Sequence, residues 1–292
     1  MYNGIVSNII NSNKITISVD NAADLSPALL KKHNLKTVHF GVVIGGELKS
    51  DKTVKPDEIY NAVERDGLFP KTNAALEASY RAVFEGATKD GGSCVHFSIS
   101  DKMSTSHQNA LRAAVGLDRV FVIDTASACA GTGLLAIKAS EMAARGYFSA
   151  EEIYAAIKTK VEKLNVGFIL KDLSYLYRGG RATGLKLIGI NILKIRPSLQ
   201  INSEGRILPC KKYKGNFETT VMDWLKDKLV QTKKADKSLA FVAHSDLSEE
   251  LAQLAINALI NAGFKTVERI EVGTTIAVHV GRNALGIMFL EE

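Results

Sequence analysis

Cysteine is scarce in this chain: Cys94, Cys129 and Cys210 lie far apart, and none stands at a metal-ligand spacing. That excludes a disulfide framework or a cysteine-rich metal site, and scattered thiols fit a reducing compartment such as the cytoplasm. No apolar run approaches the roughly 18–20 residues needed to cross a bilayer. The start of the chain is apolar in patches, but Asn3, Ser7, Asn8 and Asn11 interrupt it. It has no basic leader and does not read as a signal peptide. The histidines and acids show no H-E-x-x-H spacing, so no metal site is expected. The small-residue run Ala126 to Gly133 lacks both the lysine of a P-loop and the G-x-G-x-x-G spacing. It reads as a close-packed helix entry rather than a nucleotide cradle, and no cofactor is expected. Internal repeats, low-complexity tracts and long linkers are also missing.

What is present is a chain of 292 residues, 46% hydrophobic and 23% charged, which is long enough for two domains and too apolar for disorder. The net charge is +6, but it is unevenly spread. Between Arg178 and Lys214 lie nine bases and one acid, Glu204, so this stretch carries +8 and the rest of the chain −2. Basicity this local marks either a face for an anionic partner or a solvated lysine-rich loop.

The first half alternates strands and helices. Lys14 to Asp20 predicts a strand, and Ser26-Pro27 opens a helix with Leu25 and Leu30 placed as a hydrophobic staple. Thr37 to Ile44 predicts one strand turned by Gly45-Gly46, and Pro56 begins a second helix. Cys94 to Ser98 and Val120 to Ile123 are short apolar runs, each followed by small polar residues and a helical pattern. This is βαβ grammar, with functional loops after the strand ends. Ser149 and Glu152 form a capping box that starts a helix running to about Leu164.

The second half is different. Leu173 to Tyr177 predicts a helical turn stopped by Gly179-Gly180. Pro197 to Asn202 and Arg206 to Lys211 predict a hairpin, and Asn216 to Val230 and Leu247 to Ala262 predict helices. Leu239 to His244, Thr266 to Glu271, Thr275 to Val280 and Leu285 to Leu290 predict strands. The expected architecture is an N-terminal three-layer α/β/α domain with a parallel sheet (residues 1–160) and a C-terminal α+β domain with a mixed sheet (161–292), with a ligand pocket at or near their interface.

Several segments resemble one family. Asp20-Asn21-Ala22-Ala23-Asp24-Leu25 is similar to the D-S-T/S-A/S-D-L opening of the DegV family. Lys71-Thr72-Asn73-Ala74-Ala75 stands where that family carries T-S-Q-P. Ile99 to Gln108 (ISDKMSTSHQ) resembles I-S-S-x-L-S-G-T-Y-Q, and Val122-Ile123-Asp124-Thr125 resembles V-I-D-S/T. Leu173 to Arg181 (LSYLYRGGR) resembles L-x-Y-L-x-x-G-G-R, and Lys194-Ile195-Arg196-Pro197 resembles the family's K-P-I region. Gly273 to Gly281 (GTTIAVHVG) closely resembles its segment ending H-x-G. The matches fall in family order over almost the whole chain.

The resemblance implies a cytoplasmic carrier that binds a long-chain fatty acid and presents its carboxylate to a fatty acid kinase subunit, which makes acyl phosphate. It also implies the site: Thr72, Ser104 and His279 around the carboxylate, with Thr105, Ser106, Ser100, Asn73 and Arg181 as secondary candidates. The residues add limited support of their own. Ser104, Thr105 and Ser106 open a predicted helix after a strand, where hydroxyls and free backbone N–H groups suit an anion; an ordinary N-cap would look the same. His279, in a strand-like run, is either a bonded core residue or a donor near the carboxylate. His33, His96 and His107 read as structural. Arg178, Lys194, Arg206, Lys211, Lys212 and Lys214 form the face expected to meet the kinase or, transiently, an anionic membrane. Two other readings stay open. One is a small-molecule kinase subunit or phosphotransferase of dihydroxyacetone-kinase-like fold. The other is a regulatory binding protein using the 178–214 stretch. No nucleic-acid partner is expected, since that stretch has neither a recognition helix nor an aromatic-rich sheet motif.

Overall fold

The computed structural model describes residues 14–181 and 195–292. Its first part runs β1 (Ile15–Asp20), α1 (Pro27–Lys32), β2 (Lys36–Val38), β3 (Gly41–Ile44), β4 (Glu47–Ser50), α2 (Pro56–Asp66), β5 (Lys71–Asn73), α3 (Glu77–Thr88), β6 (Ser93–Ser98), α4 (Ser106–Ala114), β7 (Val120–Asp124), α5 (Ala130–Ala144) and α6 (Ala150–Val161). Its second part runs β8 (Leu164–Leu170), α7 (Ser174–Arg178), β9 (Ile195–Ile201), β10 (Ile207–Lys214), α8 (Phe217–Gln231), β11 (Ala235–Ser245), α9 (Glu249–Asn261), β12 (Val267–Glu271), α10 (Thr274–Val280) and β13 (Ala284–Glu291).

Four strands pair in parallel in the order β2-β1-β6-β7. Alternate residues serve opposite faces, as the two-residue period of a strand requires. Val95 and Phe97 join Ile17 and Val19 in a core with α5 and α6, while Cys94 faces the other way, into a core with Tyr80, Phe84 and Ala110 from α3 and α4. The three-layer expectation therefore holds. Six strands form the mixed sheet, in the order β10-β9-β8-β13-β11-β12, with α8 and α9 packed on its outer face.

Between the sheets lies α5, which is buried on nearly every side from Ala130 to Ser140. It packs on Ile17 and Phe97 and also sits in one core with Val166, Phe241 and Met288 of the mixed sheet. Gly131 and Gly133 make this possible. A Cβ at Gly131 would stand 3.0 Å from Val166 Cγ2, and one at Gly133 would stand 2.6 Å from Leu25 Cδ2. The run Ala126 to Gly133 is thus a close-packed helix entry, as its composition predicts.

Local signals fix most element starts. Leu29 N–H donates to Ser26 Oγ at 3.3 Å, and Ser149 and Glu152 close a full capping box. Asn216 caps α8. The predicted hairpin is β9–β10, antiparallel, with Ile201 opposite Ile207.

Three expectations need correction. The run 37–44 is not one strand: β2 joins the parallel sheet, while β3 swings out into a small antiparallel sheet, β4-β3-β5. Phe40, 3% exposed, is drawn into the core at the break, and Gly41 accepts the Leu48 side chain where a Cβ would stand only 2.8 Å from Leu48 Cδ1. The helix from Ser149 stops at Val161, because Leu164 already begins β8. Thr275 to Val280 is helix α10, not a strand. Thr274, Thr275, Ala277 and Val278 are all buried, so the segment has no exposed face to reveal a helical period.

Candidate functional site

The C-terminal ends of β2, β6 and β7 carry the loops that face the mixed sheet, the usual place for a site in an open parallel sheet. Between these loops and β8, β9, β11 and β13 lies a cavity of about 720 Å³. Its lining is mostly apolar. Phe40, Ile99 and Ala128 come from the first part of the chain, and Phe168, Ile201 and Met288 from the second.

Polar groups gather at one end. Thr72, on β5, and His279, on α10, are 207 residues apart, yet Thr72 Oγ1 and His279 Nε2 lie 3.0 Å apart. Burial first, and the nearby Arg181 cation second, push the His279 pKa down to about 3, so the ring is neutral. Its Nδ1 is buried without a partner. Gly179 makes room for that atom: a Cβ there would land on Nδ1. Ser104 lies in the turn before α4, where its Oγ accepts the Ser106 N–H at 3.1 Å and keeps its own proton to donate. Asn73 and Thr105 also line the cavity, as do Asp101 and Lys102, which pair with each other at 2.9 Å. Of the remaining candidates, Ser100 and Ser106 stand outside the lining. Ser100 Oγ donates to the Gly205 carbonyl at 2.8 Å, which ties the β9–β10 turn to the β6 loop, and Ser106 is fully buried.

Arg181 lines the cavity half-buried. Its Nε donates to the Met103 carbonyl at 3.0 Å and one terminal nitrogen donates to Gly179 at 2.6 Å. The described residues include every acid of the chain, and none of these carboxylates pairs with Arg181. Burial lowers its pKa, the expected direction for a cation removed from water without a counter-ion.

Sequence reasoning missed other groups. Asn109 lines the polar end and donates to the Ala75 carbonyl at 2.7 Å. Behind the lining, Asp51 accepts from Thr275 at 2.9 Å, from Asn21 at 3.1 Å and from His39 at 3.0 Å. Asp24 lies nearby, with Oδ2 unpartnered. Burial raises its pKa to about 7, against the pull of the Cys129 thiol and the Gly273 N–H and with a small push from Asp51. Cys129 lines the cavity at a positive φ of 53°, and burial next to Asp24 holds its thiol protonated. Asp24 falls in the segment that resembles the family's opening, but no sequence signal marks Asn109, Asp51 or Cys129, because each depends on a contact across the fold.

His33, His96 and His107 lie outside the cavity lining. His96 is fully buried, 2.9 Å from Ser18 Oγ and edge-on to Tyr80 and Phe84. On the basic stretch, the Arg178 guanidinium lies 4.3 Å from the Phe69 ring centre, Lys211 pairs with Asp227 at 2.7 Å and Arg206 lies 3.6 Å from Glu204. Lys212 and Lys214 are exposed on the edge strand β10, and Lys194 lies outside the described residues. No helix among the described residues is long and apolar enough to cross a membrane.

The fold and cavity together define an α/β protein in which a mostly apolar pocket, with a polar cluster around Thr72 and His279, lies between a parallel and a mixed sheet. A family model described as "Uncharacterised protein, DegV family" matches residues 14–292, and the chain belongs to the DegV family. It is similar to a DegV domain-containing protein of Caldanaerobacter subterraneus subsp. tengcongensis, at 28% identity over 96% of this chain and 99% of that one. Its fold matches that of a DegV family protein from Thermus thermophilus described by its fatty acid binding (TM-score 0.87, 24% identity, 96% and 100% coverage). It also matches a stearic acid-binding protein from Eubacterium ventriosum (TM-score 0.82, 22% identity, 95% and 98% coverage).

Proposed function

We propose that the protein is a fatty-acid carrier. It holds a long-chain fatty acid in the cavity, with the carboxylate at Thr72, Ser104 and His279, and presents that carboxylate to a partner kinase for acyl phosphate formation. The carrying observation is a polar cluster in a mostly apolar lining: the Thr72–His279 pair, the Ser104 hydroxyl and the Arg181 guanidinium, which no carboxylate pairs. His279 protonated on Nε2 donates to Thr72 Oγ1, and the threonine proton then points to the ligand. Arg181 supplies the positive charge that the neutral histidine does not. The tail supplies most of the affinity, at about 0.8 kcal/mol per buried methylene, and the polar groups fix orientation. Family members described as fatty acid binding support this reading.

In the same reading the chain is not itself the catalyst. Its two domains, 1–160 and 161–292, enclose the ligand, and it works in the cytoplasm. The exposed bases Arg178, Lys212 and Lys214, with Arg206 and Lys211, meet the kinase or briefly an anionic membrane. Native mass spectrometry of the purified protein tests the carrier. A retained mass equal to a long-chain fatty acid is expected. A retained nucleotide, or tighter binding of a short acid or a sugar than of palmitate, would overturn the reading in favour of a kinase or phosphotransferase.

A further inference from the structure

On β13, Ala284, Gly286 and Met288 share one face and line the cavity. Ala284 pairs with Leu170 just beyond α10, which carries His279, so this is the polar end. Met288 lies four residues on, about 14 Å along the strand. Its cross-strand neighbours are Val166, which also lines the cavity, and Phe241, which does not; the next row, Leu290 beside Leu164, lies outside the lining, so row 288 is its last. In the row between Ala284 and Met288, Gly286 lies between Phe168 and Ala243, and all three line the cavity. A Cβ at Gly286 would stand 3.0 Å from Met288 Cε and 3.5 Å from Phe168 Cβ. The Met288 thioether is therefore folded back along the strand over the glycine, toward the polar end.

We infer that Met288, folded over Gly286, is the adjustable end-stop that sets the acyl chain length the cavity accepts. The inference rests on the fatty-acid reading above and adds to it where the chain must end. An unbranched thioether with three rotatable bonds can swing off a glycine at less cost than a branched side chain on a filled row, but not without losing its own contacts. Chains that reach row 286 leave Met288 in place, and longer ones displace it.

The test is a titration of saturated acids from lauric to arachidic against the parent, Met288→Ala and Gly286→Ala, with circular dichroism to confirm folding. In the parent, binding should tighten about fourfold per added methylene until the tunnel is full. Met288→Ala should move that plateau to longer acids, so that the first acid two methylenes beyond it binds about fifteenfold tighter than to the parent. Gly286→Ala crowds Met288 and should move the plateau to shorter acids; it carries the test alone if Met288→Ala does not fold. Identical plateaus in the parent and the folded variants overturn the end-stop and leave the carrier reading standing. A parent that binds none of the acids overturns both.

Discussion

Gly179→Ala is the sharpest perturbation of the head-group site that deletes no ligand-facing side chain. Gly179 follows α7 and has an ordinary helical φ of −68°, so backbone strain is not the reason for a glycine there. The missing side chain is. An alanine Cβ would land on His279 Nδ1 and stand 3.0 Å from both His279 Cε1 and the Tyr175 carbonyl oxygen. Neither neighbour yields easily. The carbonyl is backbone and accepts the Gly179 N–H at 2.8 Å, and the His279 ring is held by Thr72 at 3.0 Å. The ring must turn, and the bond to Thr72 is lost. Overpacking of this kind costs about 1–3 kcal/mol of stability. Losing one aligned donor to a charged carboxylate costs about 1.5–3 kcal/mol more in binding, or roughly 10- to 100-fold in Kd. Displacement of a fluorescent fatty acid by palmitate, beside a thermal melt, reads both effects. Adding His279→Ala removes the clash, so the double variant should regain stability without regaining affinity. A Gly179→Ala protein with the parent's Kd and melting temperature would refute the claim that His279 acts through Thr72.

Thr72→Ala and Ser104→Ala should each weaken fatty-acid binding by about 1.5–3 kcal/mol with little change in the melting temperature; parental affinity in both would remove them from the head-group site. Reversing Arg178, Lys211 and Lys212 to Glu should reduce liposome binding or kinase-dependent acyl phosphate formation while palmitate affinity is kept, and no change in either readout would return these residues to a solvated surface. Asp24 binds a proton up to about pH 7 when folded but only to about 3.8 when unfolded, so it lowers stability as pH rises through that window, by up to ~1.4 kcal/mol per unit; the stability of Asp24→Asn relative to the parent should climb over the same range in urea melts. His279 has the opposite sign: from about pH 3 to 6.5 only the unfolded chain binds its proton, so it makes stability rise with pH, and His279→Asn should remove that rise.

The elements legible in the sequence are those whose signal is local. Ser26, Ser149 with Glu152, and Asn216 announce helix starts because capping needs only the next three residues. The short apolar runs before β6 and β7 loops read correctly because parallel strands buried on both faces need no alternation. The failures are tertiary. The segment Thr275 to Val280 is rich in β-branched residues and reads as a strand. It is helical because Gly273 and Gly281 bound it and because its buried residues face several neighbours at once. The break at Phe40 exists because one ring fills one core, a fact no pattern in residues 37–44 carries.

The site divides in the same way. Within Ser100 to Ser106 the serine hydroxyls are equivalent in sequence, yet Ser100 is spent on a turn more than a hundred residues away, and only Ser104 and Thr105 of the serines and threonine reach the cavity. Thr72 and His279 are placed in one site by family resemblance; the chemistry that makes the pair useful, a neutral ring beside a hydroxyl, needs the burial that lowers the histidine's pKa. The tail end was the least legible part. Leu285 to Leu290 reads as a strand whether its inner face meets other side chains or an empty tunnel. The physical difference is one glycine beside one methionine: a side chain at 286 would close the row against Phe168, and its absence leaves a gap that only a flexible neighbour covers. A cavity built this way keeps an apolar lining close to that of a core, and its capacity depends on a side chain that can move without unpacking the sheet beneath it.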